Sequence, residues 1–178
     1  TKIQIATSVD FFYPLVDDPF LQGQITMCNV LSDIYAMGIT EIDHVLAVLG
    51  LSNKLNKSDR KYVASEITKG MDSKAKEAGT RISGGQTVIN PLVITGGSVL
   101  GVVTDFLVDN KNCQEGDVIV LTKPLGSQMV INFEQYFRTN PKFTEIIENT
   151  GFLTKTEFAP IFKNGVDSMK TLNLYAAK

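Results

Sequence analysis

Histidine and cysteine are scarce in this chain. His44 is the only imidazole in 178 residues, which argues against a His-based triad or general acid–base centre and leaves His44 to open a strand. Cys28 and Cys113 lie far apart, with no second Cys or His beside either, so neither a zinc site nor a disulfide framework is indicated. This cysteine usage fits a reducing compartment, and the expected location is cytoplasmic. Blocks of Lys or Arg are absent and the formal net charge is −2, so neither nucleic acid nor an anionic membrane is expected as a partner. No apolar run approaches the roughly 20 residues of a membrane-spanning helix; the longest, residues 45–51, suits a buried strand. There is no Walker spacing, no signal-peptide pattern, no internal repeat and no low-complexity segment. The chain opens at Thr1 in strand pattern and stops at residues 173–178 within a helix-like run, so a piece of a longer protein is expected.

What is present is an ordinary globular composition, 43% apolar and 20% charged, sufficient for one full domain or one domain plus part of another. Residues 3–12 alternate as a strand, with Ile3, Ile5, Val9 and Phe11 on one face and Ser8 and Asp10 on the other. Asp18 and Pro19 supply an N-cap and a first helical residue, and the helix is expected to run to Met37 with Gly38 as its stop. A strand over 44–51 follows, then a helix over 59–78 capped by Ser58 and ended by Gly79. A short strand at 81–83 leads into a Gly84-Gly85-Gln86-Thr87 loop, and two strands at 93–95 and 98–103 are separated by Gly96-Gly97. Residues 109–112 read as a turn-rich joint, followed by a strand at 117–122 and helices at 127–138, 141–149 and 157–177. Alternating strands and helices make the class α/β or α+β.

The chemistry centres on two aspartates in apolar surroundings, Asp10 in a strand and Asp33 in a helix. A carboxylate among Phe, Leu, Ile and Val is costly unless it is paired or holds a metal. Two of them on adjacent elements can hold a hard cation, and Mg²⁺ is the usual one where phosphates complete the shell. Gln22, Thr26, Asn29 and Asp33, spaced four, three and four apart, form a narrow polar seam along an otherwise apolar helix. The plainer alternatives stay open: Asp33 bonded to a neighbouring base or to solvent, Asp10 capping backbone amides, and the Gly84–Thr87 stretch as a turn. Glycines there could also let backbone N–H groups approach phosphate oxygens.

The order of the blocks is more specific than any one of them. Thr7-Ser8-Val9-Asp10-Phe11-Phe12-Tyr13-Pro14, then Val16-Asp17-Asp18-Pro19-Phe20, Asn29 to Gly38, Gly84-Gly85-Gln86-Thr87 with Asn90-Pro91, and Gly116 to Gly126 together resemble selenophosphate synthetase, in its eukaryotic form. The resemblance implies the two-domain fold shared with aminoimidazole ribonucleotide synthetase. Residues 1–108 would then form a complete N-terminal ATP/Mg²⁺-binding and dimerisation domain, and residues 109–178 the beginning of a C-terminal one. It further implies a homodimer built through first-domain strands, with selenide and ATP as substrates and selenophosphate, AMP and phosphate as products. Asp10 and Asp33 match metal and nucleotide ligands, with Thr7 and Ser8 near the phosphates. Gly84, Gly85, Gln86 and Thr87 match a nucleotide-contacting loop that reaches into the partner subunit's site, and Asn29 takes a supporting place behind the ligands. The family's glycine-rich segment with its reactive Cys or selenocysteine, a nearby Lys and a further metal aspartate is not in this sequence, nor is a later Thr-Asp-x-Thr-Gly-Phe-Gly block. No catalytic residue is therefore expected within this span, and the span alone is expected to be inactive. The alternatives are a non-catalytic nucleotide-binding paralogue or another ATP-using relative, such as aminoimidazole ribonucleotide synthetase or thiamine-monophosphate kinase.

Overall fold

The structure is a computed structural model that describes residues 2–104, 107–108 and 110–178. It contains two compact units, Thr1–Val120 with Lys170–Lys178, and Leu121–Met169. The joint expected at 109–112 includes Asp109, which lies outside the described residues; residues 110–112 form one 3₁₀ turn.

The first unit is built on four strands, β1 (Ile5–Phe12), β2 (His44–Ser52), β3 (Ile82–Asn90) and β4 (Ile94–Val102), in the order β1-β4-β2-β3. β4 runs antiparallel to both β1 and β2, while β2 and β3 are parallel. Two helices, α1 (Pro19–Ala36) and α2 (Lys57–Glu77), cover one face. Asp18 caps α1 as its sequence foretells, accepting from the Phe20 and Leu21 amides at 2.8 and 3.0 Å. The two helices cross where Gly23 meets Gly70. A Cβ on Gly23 would collide with the Ile67 carbonyl, and one on Gly70 with the Phe20 carbonyl. The core beneath them holds Met27, Val30, Leu31, Ile34, Val45, Ile67, Met71 and Val99, each at most 1% exposed, so hydrophobic burial concentrates in the helix–sheet layer.

Several expected boundaries move. α2 starts at Lys57, with Asn56 rather than Ser58 as its cap, and the Asn56 side chain accepts from the Asp59 amide at 2.9 Å. Gly84–Thr87 is not a loop: β3 runs straight through it. Gly96-Gly97 does not interrupt β4 either. In both places the glycines serve close backbone approach, since a Cβ on Gly85 would collide with the Ala47 carbonyl and one on Gly96 with the Asp10 carbonyl. The strand expected at 117–122 does not form. No described strand pairs with it, and Val118, Ile119 and Val120 are 85%, 88% and 75% exposed.

The second unit contains α3 (Ser127–Thr139), α4 (Pro141–Asn149) and α5 (Lys155–Met169), held by Phe133, Phe137, Phe143 and Phe158 with ring centroids 5.2–6.3 Å apart. The single helix expected over 157–177 is two. α5 ends at Met169, and α6 (Leu174–Ala177) follows after a break that buries Leu172 and Leu174 in the core of the first unit. Asn173 donates to Ser32 Oγ at 2.9 Å there. No helix among the described residues is long and apolar enough to cross a membrane.

Candidate functional site

β1 inverts the usual alternation. Its apolar residues Ile5, Val9 and Phe11 point away from the helices and are exposed, while Ala6, Ser8 and Asp10 are half-buried on the alternate positions. That register brings the face of Ser8 and Asp10 to α1. The Ser8 hydroxyl donates to Asp33 Oδ2 at 3.2 Å, joining strand and helix. Asp10 lies close enough to Asp33 to feel its charge: burial first, and the Asp33 carboxylate second, raise the Asp10 carboxyl above its ordinary value. Among the described residues neither aspartate has a Lys or Arg ion-pair partner.

Asp33 differs from expectation in being exposed, as is Asn29 one turn before it. The polar seam of α1 divides in two. Gln22 and Thr26 are buried and bonded to Thr95 of β4; Asn29 and Asp33 emerge toward β1, the edge strand, where the sheet ends. The burial that made Asp33 conspicuous therefore belongs to the first half of the seam. Thr95 was not foreseen, and nothing in its local sequence marks it.

Beside Ser8 and Asp33 opens a cavity of about 660 Å³, with Ala6, Ile34, Met37 and Val103 among its apolar lining and Thr7 also contributing to the wall. An apolar hollow with a polar, acidic end is the general form of a small-molecule site. Gly84, Gly85, Gln86 and Thr87 lie elsewhere. All four are exposed on β3, at the edge opposite β1, about 14 Å across three strand spacings. Within one chain the fold gathers Ser8, Asp10 and Asp33, and does not bring the Gly84–Thr87 stretch to them.

Among the described residues no group of three or more His, Cys, Asp or Glu side chains converges, so any metal here would rest on the pair Asp10 and Asp33. The donor set fits Mg²⁺, an oxygen-seeking ion commonly held by one or two carboxylates while substrate phosphates and water complete its shell. A divalent cation would offset the Asp33 charge that, after burial, raises the Asp10 carboxyl.

Comparison with known proteins agrees with this architecture. Selenide, water dikinase 3 of Danio rerio is 42% identical over 177 residues, covering 98% of this chain and 39% of that protein. The selenide, water dikinase of Trypanosoma brucei brucei is 40% identical over 177 residues, covering 98% of this chain and 44% of that protein. The chain thus spans less than half the length of these curated relatives. The crystal structure of thiamine monophosphate kinase from Aquifex aeolicus superposes with a TM-score of 0.69 at 16% identity, over 99% of this chain and 54% of that one, a likeness of fold. Residues 1–103 match the domain family described as AIR synthase related protein, N-terminal domain. That match spans more than half the chain and coincides with the four-stranded sheet and its two covering helices, so this protein belongs to the AIR synthase related family through its N-terminal domain.

Proposed function

We propose that the whole protein is a selenophosphate synthetase that converts selenide, ATP and water to selenophosphate, AMP and phosphate. The observation that carries the reading is the Ser8–Asp33–Asp10 cluster beside a cavity, in a chain whose relatives are named selenide, water dikinases.

In this reading Asp10 and Asp33 hold Mg²⁺. Bound Mg²⁺ neutralises the triphosphate and stabilises charge on the transferred phosphoryl group. Ser8 fixes the orientation of the Asp33 carboxylate by donating to Oδ2, leaving Oδ1 for a cation. Thr7, in the cavity lining, is assigned a place near the phosphates, and Asn29 a supporting place one turn before Asp33. The cavity's apolar walls exclude water from whatever part of the nucleotide enters it. Residues 1–108 are read as the nucleotide domain and residues 109–178 as the beginning of the second, although the stretch up to Val120 and Lys170–Lys178 pack with the first compact unit.

The same proposal makes the protein a homodimer through the uncovered face of the sheet, where Ile5, Val9 and Phe11 are 57%, 64% and 65% exposed. An apolar row of this kind on an edge strand calls for a partner surface. A second copy would also bring its Gly84–Thr87 stretch toward the Asp10–Asp33 pair, supplying in trans what one chain does not gather. The location proposed is cytoplasmic.

Asp33→Asn in the full-length protein should abolish selenide-dependent AMP release while leaving the far-ultraviolet dichroism unchanged. Near-parent turnover at saturating Mg²⁺ would overturn the assignment. The 178-residue span, at 39–44% of the relatives' length, should by itself release no AMP in response to selenide.

A further inference from the structure

Buried polar side chains are retained only where their bonds are complete, and three of them meet between α1 and β4. Gln22 Nε2 donates to Thr26 Oγ1 at 3.2 Å and to Thr95 Oγ1 at 3.0 Å. Gln22 Oε1 accepts the Leu15 amide at 2.8 Å. The Thr26 hydroxyl donates to the Gln22 carbonyl at 2.8 Å, and the Thr26 and Thr95 hydroxyls are 2.8 Å apart. A hydroxyl has one proton. With Thr26's committed to the Gln22 carbonyl, Thr95 donates to Thr26, and every donor in the group is used. Gln22, Thr26 and Thr95 are at most 1% exposed.

The network joins three pieces of backbone: the loop after β1 through Leu15, the first turns of α1, and β4 at the residue opposite Phe12. Asp10 lies two residues before Phe12, opposite Gly97, and Val30 of α1 packs over that glycine. Farther along α1, Ser8 of β1 bonds Asp33. The helix is therefore fixed over the sheet by directional bonds at two places: Thr95 on β4 near its start and Ser8 on β1 near its end. Two points define its tilt. The seven residues from Thr26 to Asp33 span about 10 Å of helix, so a pivot of roughly 10° at the buried point would carry Asp33 about 2 Å sideways. That displacement equals a full Mg²⁺–oxygen bond length, and Mg²⁺ tolerates little departure from octahedral geometry.

We infer that Gln22, Thr26 and Thr95 are positioning residues that set the separation of Asp10 from Asp33 for a divalent cation with its nucleotide. The inference rests on the metal-site reading above and assigns these three residues no contact with metal or substrate. Their role is to hold the tilt of α1 at the value the two carboxylates need. Packing alone would hold the helix near the sheet without fixing that angle, because apolar contacts are not directional.

The test measures Mn²⁺ binding by electron paramagnetic resonance in the full-length protein with ATP present, alongside urea unfolding. Thr95→Val removes the shared hydroxyl, and Thr95→Ser keeps it. The triple variant Gln22→Leu, Thr26→Val, Thr95→Val replaces the three buried side chains with apolar groups of similar shape, which preserves packing and leaves only the Leu15 amide, at a half-buried position, without its acceptor. The triple variant is expected to unfold near the parent's midpoint yet bind Mn²⁺ about tenfold or more weakly, as disturbed support of metal ligands does. Thr95→Val should weaken binding in the same direction, and Thr95→Ser should restore it. A network that served stability alone would give the triple variant normal Mn²⁺ affinity, and that result overturns the inference. Asp33→Asn separates the two levels. If it loses Mn²⁺ while the triple variant keeps it, only the positioning role falls. If Asp33→Asn keeps Mn²⁺, the site reading fails and the inference fails with it.

Discussion

The two faces of the four-stranded sheet are made of different material. Toward the helices, the interior strands present Val45, Ala47, Leu49 and Val99, all buried. On the other side the sheet presents Ile5, Val9 and Phe11 from β1, Val48 from β2 and Val88 from β3, each between 37% and 65% exposed. β1 is where the contrast sharpens, because there Ala6, Ser8 and Asp10 face the helices ahead of Phe12, while Ile5, Val9 and Phe11 point outward with Thr7. In a half-buried strand of an isolated domain the arrangement would be reversed. The inversion accords with the proposal that the covered side of β1 carries the site and that its outward side meets a second copy.

The largest effect that tests this contrast lies in the covered layer. Leu31 is fully buried in the core formed by α1, α2 and the sheet. Leu31→Ala should cost about 2–5 kcal/mol, the usual loss when a buried leucine leaves a cavity. Urea denaturation would read it as a lowered midpoint at constant slope. An unchanged midpoint would mean that the layer is not the tightly packed one described.

The open face should behave in the opposite way. Phe11→Lys, alone or with Val9→Lys, places charge where 65% and 64% of each residue is exposed. The folding of one chain should change by no more than about 0.5 kcal/mol, as for most surface positions. Association should change greatly, with sedimentation velocity moving from dimer to monomer at micromolar concentration. A parent protein already monomeric in its full-length form would remove the homodimer proposal, and a variant that stays dimeric would move the interface elsewhere.

The sequence carried more of this fold than of its site. α1 was readable because Asp18, Pro19 and Gly38 act locally, through a cap, a preset φ and a left-handed stop at φ 77°. β3 and β4 were misread because Gly84-Gly85 and Gly96-Gly97 look like punctuation in a one-dimensional text, whereas here they let adjacent backbones approach. Residues 117–122 have strand composition without a strand partner, and composition does not supply hydrogen bonds. The break between α5 and α6 is tertiary: Leu172 and Leu174 turn toward a core whose α1 residues lie more than a hundred positions earlier in the chain. At the site, the seam spacing correctly aligned Gln22, Thr26, Asn29 and Asp33 on one side of α1. It could not tell which half would be covered, because that depends on where the sheet ends.

The smallest effect concerns an imperfection in the covered layer. Tyr35 is 3% exposed, and its hydroxyl has no hydrogen-bond partner among the described residues. Burial pushes its phenol from the ordinary value of 10.0 up to about 12, with Cys28 and Glu77 adding repulsion. A raised value in the folded state means that the native chain keeps the phenol proton more tightly than the unfolded chain does. The stability this contributes is complete below pH 10 and is lost as pH rises from there through about 12. Tyr35→Phe removes both the orphaned hydroxyl and the titration. It should raise stability at pH 8 by about 1 kcal/mol, the lower end of what an unsatisfied buried polar group costs, and should flatten the fall of the urea midpoint between pH 10 and 12. A loss of stability at pH 8 would mean that the hydroxyl is bonded in solution and that the covered layer contains a polar contact after all. An alkaline limb as steep as the parent's would assign that titration to another group, and would leave Tyr35 as one more packed ring between α1 and α2.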